Sequence, residues 1–538
     1  MIPNKPHCGK SLSTLAESGG FHLRVRSSTW SSWAALDPFP VRPPGAGRPG
    51  PPHPLELGLT AVVAANLCFL PWALGGMHAW AQLTSLGLSV AGLVFALAKR
   101  PARSLPETTA ANPGRDSYRL LRFPVFWAGL ALIVYEAIQG LNPAWRYISD
   151  ASSWWLIPVT HVAWLPSGVD GPFLRSNAWR SMTIDASVWL TTCSVWVGFL
   201  RRQSYRILFT TLVVNGSLLA LLGILQQLIS TKRIFWSYLP ANDSFIASFI
   251  YRNHAGCYFN LLISLSAGMA WWHFDRERRR LEKRGRAAVF TFLAIFMGIM
   301  ALFSYSRMAV VLLLLFTAIV AAVLTSRLVR RREGPRNGTH MLPSTIAVAA
   351  FLIIGVVTLR SDQMWGRFSG LVHDPIASGS DRAEVRRAAE EMLGDRWLLG
   401  WGAGAFRYGF PIYAQKFPAI YHSSQGQVRY WEHAHDDLLE FPIELGAIGC
   451  LPLVFILGYF ALQLPRRNFW ANGVSLCVVL GCALALLHAW VDFVFQNPAV
   501  LLTWGVMLTG ALRWAELDSL PGRRIVLATA PIDIPAVG

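Results

Sequence analysis

Residues 431–449 read WEHAHDDLLEFPIELGAIG, which puts His433, His435, Asp436 and Asp437 side by side ahead of an apolar run. Imidazole titrates near neutral pH, so a histidine in such a cluster can take a proton from a hydroxyl group. Asp437 and Glu440 have capping-box spacing, which predicts a helix start there and sets His435 just ahead of it. The positive end of the helix dipole disfavours an imidazolium, so a neutral His435 acting as general base is expected. A single histidine in this position would more often be a cap or a loop residue. Two histidines and two aspartates together, with arginines nearby in the chain, weigh toward chemistry.

The elements that must position this cluster are membrane helices. The 538 residues carry a net charge of +18, yet only 14% are charged and 53% are hydrophobic, with 23 Trp, 30 Phe and a mean hydropathy of +0.38. Soluble domains average about 25% charged residues. The composition excludes a disordered chain, a coiled coil and a disulfide scaffold. A spanning helix needs about 20 apolar residues. Windows of that kind begin near Leu57, Ala81, Pro124, Thr183, Ile207, Ala255, Val289, Met308, Thr345, Leu438, Gly473 and Val500. The fold expected is an all-α polytopic membrane protein of about twelve transmembrane helices. The pairs starting at Val289 and Met308, and at Gly473 and Val500, are separated by short turns and read as hairpins.

Basic residues accumulate on the cytoplasmic side of membrane proteins. With the N-terminus inside, the short inner connections hold 23 Lys/Arg and the short outer ones 7. Both termini are then cytoplasmic, and 360–437 forms a large outer loop. The division expected is a disordered tail over 1–54, a membrane domain over 55–513 and a second tail over 514–538. The basic runs at Arg276–Arg286 and Arg327–Arg332 serve as topology signals against anionic lipid headgroups. They are a poor argument for nucleic acid. Six of the seven cysteines fall in apolar spans, Cys8 lies in the tail and there is no CxxC pair, so neither an external disulfide nor a metal site is expected.

Within the large loop, Val385, Ala388, Ala389 and Met392 recur at helical spacing. They predict an amphipathic helix over Asp381–Leu393, capped by Ser380 or Asp381 and lying on the membrane surface. Gly400, Gly402 and Gly404 form a GxGxG with no strand ahead of it, which reads as a tight turn and not as a dinucleotide site.

HAHDDLLEFPIELGAIG resembles the signature of the O-antigen ligase/polymerase family. There a histidine and a small polar residue precede Gly-x-x-Gly by nine intervening residues, as His435 and Asp436 precede Gly446 and Gly449. YRNHAGCYF (251–259), FSYSRMA (303–309) and SDRAEVRRAAEEMLGDRWLLGWGAGAF (380–406) resemble further stretches of that family in the same order. The resemblance implies an inverting, metal-independent glycosyltransferase of the bacterial inner membrane that needs no cofactor. Its donor would be a glycan on undecaprenyl pyrophosphate at the periplasmic face. Its acceptor would be a hydroxyl on lipid A-core, on another lipid-linked glycan or on a protein. By the same resemblance, Arg307 and Arg382 bind the pyrophosphate and His435 deprotonates the acceptor. Guanidinium groups suit that task because they offer permanently charged, forked contacts. Arg252 is a third candidate and His254 a weaker one. Asp436 is a possible site residue, and His433, like Arg386 and Arg387, reads more simply as a solvated surface residue. The rival reading is a flippase of lipid-linked sugar, with the arginines lining its path; a membrane scaffold is a third.

Overall fold

The computed structural model describes residues 52–98, 115–151, 153–240, 245–280, 285–331, 375–422 and 428–519. The expected span at Thr345, the first part of the large loop and nearly all of both expected tails lie outside the described residues. Every other apolar window coincides with a helix. In chain order these are α1 (Pro54–Trp72), α2 (Ala79–Leu97), α3 (Arg115–Leu121), α4 (Pro124–Leu141), α5 (Ala178–Gly198), α6 (Arg202–Leu228), α7 (Arg252–Arg280), α8 (Arg286–Phe303) and α9 (Arg307–Arg331). They continue with α10 (Pro375–Asp395), α11 (Phe406–Ala414), α12 (Pro418–Tyr421), α13 (Asp437–Arg466), α14 (Gly473–Ala489) and α15 (Pro498–Ser519). Among the described residues, 7 helices are long and apolar enough to cross a membrane. Large apolar side chains such as Val94, Phe292 and Leu451 are exposed on the outside of the bundle, as lipid contact requires.

Local chemistry sets many of the helix ends. Pro54 and Pro124 occupy first-turn positions, where the missing N–H costs nothing. Asn177 caps α5 by accepting from Arg180 N, and Asn472 caps α14 by accepting from Val474 N. Inside the bundle, Asn66 Nδ2 donates to Ser89 Oγ at 2.9 Å, and Thr191 Oγ1 donates to the same oxygen at 2.9 Å. These polar contacts fix α1, α2 and α5 against one another. The last helix runs past Arg513 to Ser519, and Trp514 is fully buried.

The all-α expectation missed a small sheet between α4 and α5. Strands β1 (Pro143–Ser149), β2 (Trp154–Pro158) and β3 (Gly168–Asp170) lie in the order β2-β1-β3. β1 and β2 form an antiparallel hairpin with Tyr147 opposite Leu156, and β3 runs parallel to β1. The strands are rich in aromatic and β-branched residues, but each is too short to stand out beside the spans that flank it.

This sheet shares a second core with α10–α12. Val385, Ala388, Ala389 and Met392 are buried there with Tyr147, Trp401, Phe406 and Tyr408. The predicted apolar face of α10 is therefore correct, but it packs on protein rather than resting on lipid. The helix starts at Pro375, ahead of the expected cap at Ser380 or Asp381.

A break in α13 joins the two cores. At Gly446 the backbone turns to φ 68°, ψ 179° inside an otherwise continuous helix. The break frees backbone groups that would bond within the helix, and the glycine loop takes them up. Trp401 N donates to Ile443 O at 2.8 Å and Gly402 N to Glu444 O at 2.9 Å, while Ala447 N donates to Trp397 O at 2.8 Å. A Cβ on Gly446 would stand 2.5 Å from Gly400 N and from Leu398 O. The GxGxG is thus the turn that threads the broken helix, with positive φ at all three glycines.

Candidate active site

One end of the bundle gathers the motif residues around the short connection between α14 and α15. His435 stands in the left-handed region at φ 55°, unusual for a residue with a large side chain, and this turns its ring back toward Asp492. Nδ1 of His435 lies 3.3 Å from Asp492 Oδ1. A carboxylate can only accept, so Nδ1 carries the proton of that bond and the lone pair of the neutral ring falls on Nε2. The His435 side chain keeps 23% of its surface, whereas that of Asp492 keeps 3%.

Asp492 is held from several directions. It accepts from the Tyr251 hydroxyl at 3.4 Å, from the Asn253 side-chain amide and from Phe493 N at 2.9 Å. Burial alone would raise its pKa. The hydrogen bond from His435, together with the neighbouring donors, outweighs burial and holds the carboxyl well below its usual range.

Phe493 organises the rings. His433 stacks on it at 4.5 Å and Tyr251 at 5.0 Å, while His254 and His435 meet it edge-on at 5.0 and 4.8 Å. His254 is buried, and its Nε2 lies 3.1 Å from Phe493 O. Trp431 covers His435 edge-on at 5.8 Å.

The helix start differs from the expected capping box. Asp436, not Asp437, is the N-cap of α13, accepting from Leu439 N at 3.2 Å. Asp437 is buried and accepts instead from Phe495 N at 2.8 Å. Glu440, free of the box, binds His433 Nδ1 at 2.7 Å and Ala434 N at 2.7 Å. The two aspartates thus exchange the expected roles because the chain around 493–495 offers Asp437 a buried donor. Asp436 also pairs with Arg386 at 3.2 Å. Burial raises the Asp436 pKa, while the Arg386 charge pulls it the other way.

The arginines surround this centre. Arg382 lies inside α10, which starts at Pro375. Its guanidinium is exposed and stands 3.4 Å from Val491 O, next to Asp492. Arg252 is half-buried at the first position of α7, between Tyr251 and Asn253, both of which touch Asp492. Arg307 is half-buried at the tip of the α8–α9 hairpin. That tip packs on the first turns of α7: a Cβ on Gly256 would meet Ala309 Cβ at 2.5 Å, and Asn260 Nδ2 donates to Ala309 O at 2.9 Å. Arg386 is exposed, as expected, and also pairs with Asp436 and with Glu390, the latter at 3.1 Å. Arg387 is exposed, as expected.

The arrangement brings His433, His435, Asp436, Arg382, Arg252 and His254 to one end of the bundle. Asp492, Phe493, Tyr251 and Asn253 complete it; Tyr251 and Asn253 lie in the 251–259 stretch but were not singled out, and no motif covered Asp492 or Phe493. The one signal was Asp492 itself, an acid in the turn of an apolar hairpin. Among the described residues no group of three or more His, Cys, Asp or Glu side chains is arranged to hold a metal ion. Chemically, the site offers a base with its lone pair oriented by a buried carboxylate, beside arginine-bearing elements suited to an anion.

The apolar helices are those of a multi-pass membrane protein. Residues 292–454 match the family model described as O-antigen ligase. The matched segment runs from α8 into α13 and includes Arg307, Arg382 and His435, but not Asp492 or the α7 residues. The match supports the O-antigen ligase/polymerase family and a membrane enzyme that transfers glycans. No curated protein matches the chain.

Proposed function

We propose that the protein transfers a glycan from undecaprenyl pyrophosphate to an acceptor hydroxyl at the outer face of the bacterial inner membrane. His435 Nε2 takes the acceptor's proton as the acceptor oxygen bonds to the anomeric carbon. The bond from that carbon to the phosphate oxygen breaks, and its electron pair leaves on undecaprenyl pyrophosphate. Arg307, Arg382 and Arg252 meet the growing charge on that leaving group. Attack opposite the leaving group inverts the anomeric centre, and neither metal nor cofactor takes part. The observation that carries this reading is the His435–Asp492 pair, which fixes the tautomer a general base needs.

In this reading the membrane domain has about twelve spans and the 360–437 loop faces the periplasm. The Lys/Arg asymmetry between alternate loops supports that orientation. The acceptor is a glycan, lipid A-core or a protein, and the product belongs to surface polysaccharide biosynthesis.

The test is transfer by purified protein in nanodiscs, with undecaprenyl-pyrophosphate glycan and each class of acceptor. Wild type should yield a glycosylated product. His435→Ala should lose about 10²–10⁴-fold in rate while still binding donor. Donor moved across the bilayer with no product formed would point instead to a flippase, and an active His435→Ala variant would remove the proposed base.

A further inference from the structure

His433 was expected to be a solvated surface residue, and its surroundings do not fit one. Its Nδ1 sits 2.7 Å from Oε1 of Glu440, whose side chain is only 1% exposed. The second Glu440 oxygen accepts from Ala434 N at 2.7 Å. The ring lies flat on Phe493, with 16° between planes, and retains 21% of its surface. His433 and His435 are therefore two imidazoles of similar exposure on one phenylalanine, each bound through Nδ1 to a buried carboxylate.

The two carboxylates differ in what else satisfies them. Asp492 draws on Tyr251, Asn253 and Phe493 N–H besides His435, so its charge is shared among donors that do not depend on the imidazole. Glu440 is met by one backbone N–H and by His433. A buried carboxylate with so little other support strongly favours a cation beside it. The stacked geometry agrees, because a ring face attracts a cation, whereas His435 presents an edge-on contact to the same ring. Other groups around His433 are Glu432 beside it in the chain, Glu444 one turn further along α13 and His254 from α7. Burial works against the imidazolium, but the Glu440 contact and the neighbouring acids outweigh it and raise the His433 pKa.

We propose that His433, paired with Glu440, is an anion-binding residue that donates its Nε2–H to the pyrophosphate of the lipid-linked donor. The inference rests on the proposed glycan transfer and divides its labour: His435 abstracts the acceptor proton, and His433 holds the leaving group. No proton passes from His433, so it needs no reset between turnovers.

The experiment measures binding of undecaprenyl pyrophosphate, which carries the anion without a sugar, to the full-length protein in nanodiscs. His433→Gln keeps a donor but no charge, and should bind roughly 10- to 100-fold more weakly, as expected for one lost charged hydrogen bond. His433→Lys should recover most of the affinity, and His435→Ala should bind like wild type. Wild-type affinity should fall as pH rises past the His433 titration, which lies above that of an ordinary histidine. Glu440→Gln should move that fall to lower pH. If His433→Gln binds like wild type while His435→Ala is inactive in transfer, this inference fails and the proposed function stands. If wild type binds no undecaprenyl pyrophosphate and transfers nothing, both fail.

Discussion

Buried carboxylates occur at both ends of the helix bundle, and they are used differently. At the end away from the site, Glu56 of α1 accepts from Leu200 N and Arg201 N at 3.1 Å each and from Ser204 Oγ at 2.6 Å. Glu277 of α7 accepts from Arg286 N at 3.1 Å and Ala287 N at 3.2 Å. Each acid sits at the start of another helix, Glu56 at α6 and Glu277 at α8, where N–H groups lack partners and the dipole favours negative charge. At the site end, Asp492 and Glu440 bind imidazole rings that keep about a fifth of their surface. An acid that meets only backbone and hydroxyl groups completes the fold. An acid that meets a half-exposed imidazole sets which ring nitrogen faces the outside. The distinction lies in the partner, since all four acids are buried.

Asp492→Asn tests this contrast most severely. Asparagine fits the same space, but Oδ1 of Asp492 serves both His435 Nδ1 and Phe493 N, and Oδ2 serves Tyr251 and Asn253. Its NH2 group must face donors on one side or the other. Facing His435 it removes the ring's acceptor, and facing Asn253 it leaves a neutral oxygen in place of the carboxylate, so either way the His435 ring is held less firmly with its lone pair on Nε2. Transfer should fall by about 10²–10⁴-fold, with donor binding and thermal stability close to wild type. Unfolding of the variant without any specific loss of turnover would place Asp492 with Glu56 as a structural acid.

The arginines come next. Arg382→Ala and Arg307→Ala should each raise the barrier by about 3–4 kcal/mol, the usual loss for one preorganised donor at a developing charge. Lysine should rescue each only in part, because it restores charge without the fork. Turnover at saturating acceptor, with donor affinity measured alongside, reads both effects. Full activity in both alanine variants would detach the pyrophosphate from these residues and leave His433 and Arg252 as its partners.

Features of the chain were legible to the extent that they are local. A spanning helix is coded by its own residues, so the apolar windows coincide with helices wherever the chain is described. His435 was legible for the same reason, since its cluster and the Gly446/Gly449 spacing lie within one stretch. The face of α10 was legible too, but not what covers it, because the sheet that packs there comes from residues 143–170. Asp492 was hidden because its role depends on contacts with α7 and with the lead-in to α13, both far away in sequence. The capping box misled for a related reason. Asp437 and Glu440 have the right spacing, but Phe495 and His433 recruit them, and the cap falls to Asp436. Local patterns thus found the helices and the cluster that holds His435. The partners that surround His435 are tertiary.

The smallest effect is expected at the far end, and it tests the other half of the contrast. Glu56→Gln retains an acceptor oxygen for Leu200 N and Arg201 N but removes the negative charge from the start of α6. Loss of one such capping charge costs about 0.5–2 kcal/mol of stability. All three bonds fall on Oε1, so the amide oxygen can keep them and the charge is what is lost. Thermal unfolding in nanodiscs should therefore shift downward, while turnover per folded molecule and donor affinity should not change. The same should hold for Glu277→Gln, whose partners are again backbone N–H groups. A Glu56→Gln variant of normal stability with impaired transfer would mean that an acid satisfied by backbone and a hydroxyl still acts on the reaction. Partner type would then fail to separate the two ends, and the case for Asp492 would rest on its distance from His435 alone.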